Sequence, residues 1–140
     1  MSSVSLETKT HIYELVKALP EFADVDVTYG VPKRFEKRWC AIGRVRWDST
    51  DWATNRSREE SFTVEGLISI VQAAGSPTSV EATALALGGA IEDAIKASPN
   101  LGNPRIITSG FKPSNISSFP NDTEGYEAQY EWMISVTARL

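Results

Sequence analysis

Tyr126-Glu127-Ala128-Gln129-Tyr130-Glu131-Trp132-Met133-Ile134-Ser135-Val136-Thr137-Ala138-Arg139-Leu140 closes the chain and decides how the rest of it is read. Every even-numbered position in this stretch is apolar, and of the positions between them only Met133 is. Successive side chains of an extended chain point to opposite sides, so a period of two is the mark of a strand with one buried face. Such a run of strand spans ~50 Å at ~3.4 Å per residue. A compact domain of this length has a diameter near ~37 Å. The expectation is a strand that bends sharply or overhangs its own domain. An overhanging apolar strand invites pairing with other copies of the chain.

Upstream, residues 105–111 read as a short strand, and residues 112–124, with Pro113 and Pro120, as a loop. Before them lies a helix. Ser76 followed by Pro77 fits a cap with proline in the first turn, and Thr78-Ser79-Val80-Glu81 offers a rival capping box. Val80, Ala84, Leu87, Ile91 and Ile95 form one apolar stripe, and Pro99 marks the stop. Gly88-Gly89 sits mid-helix at a cost of about 1 kcal/mol each against alanine. Close packing on a sheet is a reason to keep both.

Residues 60–73 read as a strand, with Phe62, Val64, Ile68 and Ile70 on one face and Leu67 and Val71 on the other. Residues 48–58 are polar and read as a loop. Trp39 to Trp47 is a further strand whose odd positions, Trp39, Ala41, Gly43, Val45 and Trp47, form a mostly apolar face. Cys40 and Ile42 begin its even face and Arg44 and Arg46 end it, so one end is buried on both sides and the other on one. Val25 to Tyr29 is a brief strand ending at Gly30 and Pro32. Leu6, Ile12, Leu15, Val16 and Leu19 give the first helix, with Ser3 or Ser5 as caps and Pro20 as its stop. The order α-β-β-β-α-β-β with hairpin-length connections predicts an α+β domain, a largely antiparallel sheet with two helices packed on one face. The 140 residues suggest a single domain, 1–140.

The chain is 41% hydrophobic and 23% charged, which reads as globular rather than disordered. No apolar run approaches the ~20 residues that cross a bilayer, and the N-terminus lacks a secretory pattern. The expected place is the cytoplasm or an assembly formed there. The three strings of glycosylation type, beginning at Asn55, Asn115 and Asn121, are then chance matches.

The chemical inventory is short. Cys40 is the lone cysteine and His11 the lone histidine, which removes intrachain disulfides, CxxC zinc sites and paired-histidine chemistry. His11 on a helix flank reads as solvated or packed, and Cys40 as a buried thiol. Glu59-Glu60 and Glu92-Asp93 read as solvated surface. Asp48 with Asp51, or Asp122 with Glu124, lacks the spacing of a calcium loop. No catalytic residue, cofactor site or metal site is expected.

Charge is unevenly placed. Residues 31–58 hold eight cations, Lys33, Arg34, Lys37, Arg38, Arg44, Arg46, Arg56 and Arg58, against Glu36, Asp48 and Asp51, for a net +5. The whole chain carries −4, which leaves −9 for the remainder. Trp39, Trp47 and Trp52 interleave with the cations. Such a segment binds nucleic acid, faces solvent over core tryptophans, or meets the acidic surface of another copy. Net negative charge argues mildly against nucleic acid as the main partner.

A helix ending at Leu19-Pro20 leads to Val25-Asp26-Val27-Thr28-Tyr29-Gly30, then Arg38-Trp39-Cys40-Ala41-Ile42-Gly43, then a strand with Phe62-Thr63-Val64. A small-residue helix through Ala82-Thr83-Ala84-Leu85-Ala86 and the long closing strand follow. In order and length of elements this resembles the tail terminator and tail-completion proteins of long-tailed bacteriophages, over nearly the whole chain. The resemblance implies a hexameric ring that caps the tail tube in the virion, assembled in the host cytoplasm. Its partners would be the tube protein and a neck protein, with no cofactor, no catalysis and no membrane. A neck or head-completion protein of the same virion, and a small nucleic-acid-binding module, are the alternatives.

Candidate contact residues follow. A ring built from one repeated contact joins two different patches of the chain. Arg44 and Arg46 share one strand face, and Glu127, Gln129 and Glu131 share the polar face of the last strand. They are candidates for a subunit interface, or else pair within one sheet. Lys33, Arg34, Lys37 and Arg38 are the candidate partner-contact segment.

Overall fold

The computed structural model describes residues 3–51, 59–121 and 125–139. The chain runs α1 (Ser5–Ala18), a 3-10 turn (Pro20–Phe22), β1 (Asp26–Tyr29), β2 (Arg38–Asp51), β3 (Glu59–Gln72), α2 (Pro77–Ala97), β4 (Ile106–Pro120) and β5 (Tyr126–Arg139). The strands form one five-stranded sheet in the order β1-β2-β3-β5-β4. Only β1 and β2 run parallel; the other neighbours are antiparallel. The fold is the expected α+β arrangement.

Side-chain alternation places both helices on one face. Phe62, Val64, Ile68 and Ile70 of β3 and Ala128, Tyr130, Trp132, Ile134, Val136 and Ala138 of β5 are buried there. They pack with the α2 stripe Val80, Ala84, Leu87, Ile91 and Ile95 and with Ile12 and Val16 of α1 in a single cluster. Ser76 caps α2: its hydroxyl accepts from Ser79 N at 3.2 Å, and Ser79 Oγ accepts from Ser76 N at 2.8 Å. The box is thus closed by Ser79, not Glu81. The helix ends at Ala97, just before Pro99.

Several expectations are corrected. β5 does not overhang. It lies inside the sheet and pairs with β3 from Tyr126 to Arg139, and with β4 on its other edge. Its 14 residues are matched by 14 in β2, 14 in β3 and 15 in β4, so the sheet itself is long. Residues 112–120, expected as loop, continue β4. Their prolines are tolerated because β4 is an edge strand, and a register shift between Pro113 and Asn115 absorbs the irregularity. Asp48–Asp51 likewise extend β2, while residues 52–58 lie outside the described ones.

The odd face of β2 does not stay on one side. Gly43 and Arg44 form a bulge, marked by the register shift between Ile42 and Val45. Before it, Trp39 and Ala41 point away from the helices; after it, Val45 and Trp47 point toward them, opposite Val64 and Phe62. In α1, Leu6 is 67% exposed while Ser5 and Thr8 are buried. The N-cap is Val4; the Ser3 hydroxyl accepts from Ser5 N at 3.0 Å. Glu60, read as solvated, is 2% exposed. Its carboxylate accepts from the Ser3 hydroxyl, from Val4 N at 3.3 Å and from Trp47 Nε1 at 2.7 Å. Satisfied hydrogen bonds at a helix N-terminus are what let a carboxylate lie buried there.

The link between β1 and β2 positions the surface discussed next. Gly30 turns the chain at φ +88°, its N–H donating to Ile42 O at 2.8 Å. Residues 31–37 then cross the helix-free face as a strap. Pro32 is buried, the Phe35 ring leans on Trp39 at 5.5 Å, and Lys37 O accepts from Val71 N at 2.8 Å.

Candidate interaction surface

The helix-free face of the sheet carries most of the residues singled out above. On it, Arg44 grips Glu65 of β3 through two nitrogens: Nε at 2.6 Å and Nη2 at 3.3 Å. Arg46 Nε reaches the same carboxylate at 3.3 Å. The Arg44 hydrogen bond, helped by the charge of both arginines, holds the Glu65 carboxyl below its ordinary pKa against partial desolvation. The same contact raises the Arg44 guanidinium. Spacing puts Arg44 and Arg46 on one side of β2, and the bulge makes that side the helix-free one, over Glu65, rather than the side of Cys40 and Ile42.

Glu127 is also engaged within the chain. It accepts from Asn121 Nδ2 at 3.1 Å, Gln129 Nε2 at 3.0 Å and Ser69 Oγ at 3.3 Å. Arg38 pairs with Asp24 at 3.1 Å. Two clefts flank the strap. One, about 380 Å³, is lined by Val31, Trp39, Ala41, Arg44, Glu65, Leu67, Glu131 and Met133 among others. The other, about 420 Å³, includes Phe35, Lys37, Trp39, Ser69, Glu127 and Gln129. Arg44 and Glu131 therefore border one cleft rather than two separate patches.

The strap lies between the clefts and shows what sequence reading missed. Val31 is 81% exposed and Phe35 68% exposed, although the backbone beneath them is pinned at Pro32, Trp39 and Val71. Lys33 and Arg34 are exposed beside them. The basic run drew attention to the charges, while the two apolar side chains among them went unremarked. An apolar residue amid cations in a loop was the available signal.

Elsewhere the chemistry is sparse. Cys40 is fully buried, and burial pushes its thiol far above the ordinary range. His11 is half-buried, with its ring facing Gly102. Among the described residues no group of three or more His, Cys, Asp or Glu side chains is placed to hold a metal ion. No described helix is long and apolar enough to cross a membrane. The open face offers ion pairs, hydrogen bonds and apolar contact, which is the chemistry of association.

No protein-family model matches the chain, and no curated protein matches it in sequence. Its fold has a counterpart among solved structures. A chain from the virion of a native gene transfer agent (GTA) particle superposes with a TM-score of 0.67 at 13% identity, covering 100% of both chains. The two chains share a fold from end to end.

Proposed function

We propose that this protein is a structural component of a phage-like virion, and more narrowly a tail terminator. It forms a ring at the end of the tail tube, stops tube growth, and presents the docking surface for the head or neck. The observation that carries the reading is the end-to-end likeness to a chain of a GTA virion particle, with no part of either chain left over. The order of elements that resembles terminator proteins points the same way. So does a surface built for contact rather than catalysis. Arg44, Arg46, Glu127, Gln129 and Glu131 all lie on the open face, which is kept as a subunit contact face. A non-enzymatic role without cofactor is part of the proposal.

Deleting the gene from its particle and imaging the lysate by electron microscopy tests it. A terminator leaves heads unjoined to tails of uncontrolled length. Tails of normal length that merely lack heads would replace this reading with that of a neck protein. Intact particles would end both.

A further inference from the structure

The strap and the outer side of α2 look unrelated in one molecule, yet each is left without a use by the fold. The strap is tied to the sheet by buried Pro32, the Phe35–Trp39 ring contact and the Lys37 O hydrogen bond, while displaying Val31, Phe35, Lys33 and Arg34 to solvent. Residues 31–38 carry four cations and one acid, a net +3. On α2, Leu85 is 50% exposed. Among the described residues a Cβ at Gly89 would meet nothing within 4 Å, so no packing among them accounts for that helix-weakening glycine. The helix carries Glu81, Glu92 and Asp93 against Lys96, a net −2, and Lys96 is spent on Glu92 at 3.7 Å. Asp93 is exposed and makes no ion pair among the described residues.

The two surfaces lie on opposite faces of the sheet. The strap crosses the open face over β2, whereas α2 packs on the other face over β3, β4 and β5. A patch on one side and its complement on the other is the arrangement of a head-to-tail contact, which closes into a ring or extends as a filament. A two-fold dimer would instead need one patch complementary to itself.

We infer that the strap of one copy docks on the outer face of α2 of the next copy. Phe35 and Val31 pack against Leu85 and the open ground at Gly89, and Lys33 or Arg34 faces Asp93. The inference rests on ring assembly as proposed above and names its contact. Apolar side chains at the centre with opposite charges around them are what a specific interface uses.

Cysteine cross-linking tests it, because the sole native thiol, Cys40, is buried and silent. Phe35→Cys and Leu85→Cys proteins are prepared separately, mixed at high concentration under a mild oxidant, and run on non-reducing gels. The mixture should give a disulfide-linked pair that neither protein gives alone, and the F35C/L85C chain should give a ladder ending at the ring. The two sites cannot join within a chain, since the sheet lies between them. Lys33→Glu with Arg34→Glu should weaken assembly up to about tenfold at low salt, with Asp93→Lys recovering part of it and the effect shrinking as salt rises. F35C linking only to itself would overturn the inference in favour of a two-fold contact. Absence of a mixed disulfide overturns it too. If native mass spectrometry shows a ring in that case, this contact fails while the ring reading stands. A salt-sensitive DNA gel shift abolished by the Lys33/Arg34 reversal would assign the strap to nucleic acid and also overturn it.

Discussion

The ring of Tyr130 on β5 occupies the space that a side chain at Gly88 of α2 would need: a Cβ built there overlaps Tyr130 Cε2. The neighbouring glycine is different in kind, since a Cβ at Gly89 points into open ground. Helix and sheet approach closely because one residue lacks a side chain, and burial of Tyr130 to 4% exposure depends on that approach. Gly88→Ala should therefore destabilise the protein by about 1–3 kcal/mol through overpacking, despite better helix propensity. Gly89→Ala should stabilise the isolated chain by up to about 1 kcal/mol. Urea denaturation of the two variants checks the contrast, and equal effects would contradict it.

A second close approach crosses the sheet. Gly66 of β3 pairs with Trp132 of β5, whose indole lies over the glycine and stacks with Phe111 at 5.8 Å. A methyl at Gly66 would collide with the indole ring. Gly66→Ala should cost about 1–3 kcal/mol and alter the near-ultraviolet signal of the tryptophan. An unchanged spectrum with unchanged stability would show that the indole moves aside freely.

These glycines show what was legible in the sequence and what was not. The period of two in β5 and the stripe on α2 gave the fold class, because burial of one face imposes its own spacing on apolar residues. The second half of β4 could not be read that way. As an edge strand it has one hydrogen-bonded neighbour and much exposed surface, so polar residues and prolines are allowed and the alternation fades. The β2 bulge was hidden for another reason: one extra residue inverts every later side chain, and composition does not record it. Among contact residues, the shared face of Arg44 and Arg46 was legible from spacing. Their common partner Glu65 was not, since it depends on register. Glu60 was misread because adjacent acids usually lie at the surface, and only the tertiary approach of Val4 and Trp47 supplies its donors.

Glu60 provides a further prediction. Glu60→Ala removes the acceptor for Ser3, Val4 N and Trp47 Nε1 and leaves the buried Val4 N–H without a partner, which should cost about 1–3 kcal/mol. Glu60→Gln keeps the shape and part of the bonding and should cost less. Native-state hydrogen exchange should show loss of protection concentrated in the first turns of α1. Uniform loss across the chain would indicate a general core defect instead.

The Glu65 carboxyl predicts the acid limb of the stability curve. Its folded pKa is depressed by Arg44, so the contribution is present above the unfolded pKa and disappears as pH falls through the folded value. Glu65→Gln should flatten this acid limb while leaving stability at neutral pH only slightly lower, because the pair is exposed and screened. Added salt should shrink the difference between the two proteins. A parent and variant with parallel acid limbs at low salt would show that the pair contributes nothing to folding.

Arg44 is the residue whose two roles need separating, since it binds Glu65 at 2.6 Å and yet leaves 72% of its side chain exposed on the proposed contact face. Reversing it alone confounds the roles: Arg44→Glu sets two acids side by side, weakening the strand pair whatever a neighbouring copy does. In an Arg46→Gln background, which keeps a second guanidinium away from position 65, the exchange Arg44→Glu with Glu65→Arg restores the pair but moves each charge to the other strand. If Arg44 serves only its own sheet, the exchanged protein should recover both thermal stability and ring formation. If a neighbouring copy reads the guanidinium, stability should return while assembly stays weakened, up to about tenfold at low salt. Thermal melting and native mass spectrometry on the single and exchanged variants distinguish these outcomes. A single Arg44→Glu variant that melts and assembles like the parent would remove Arg44 from both roles.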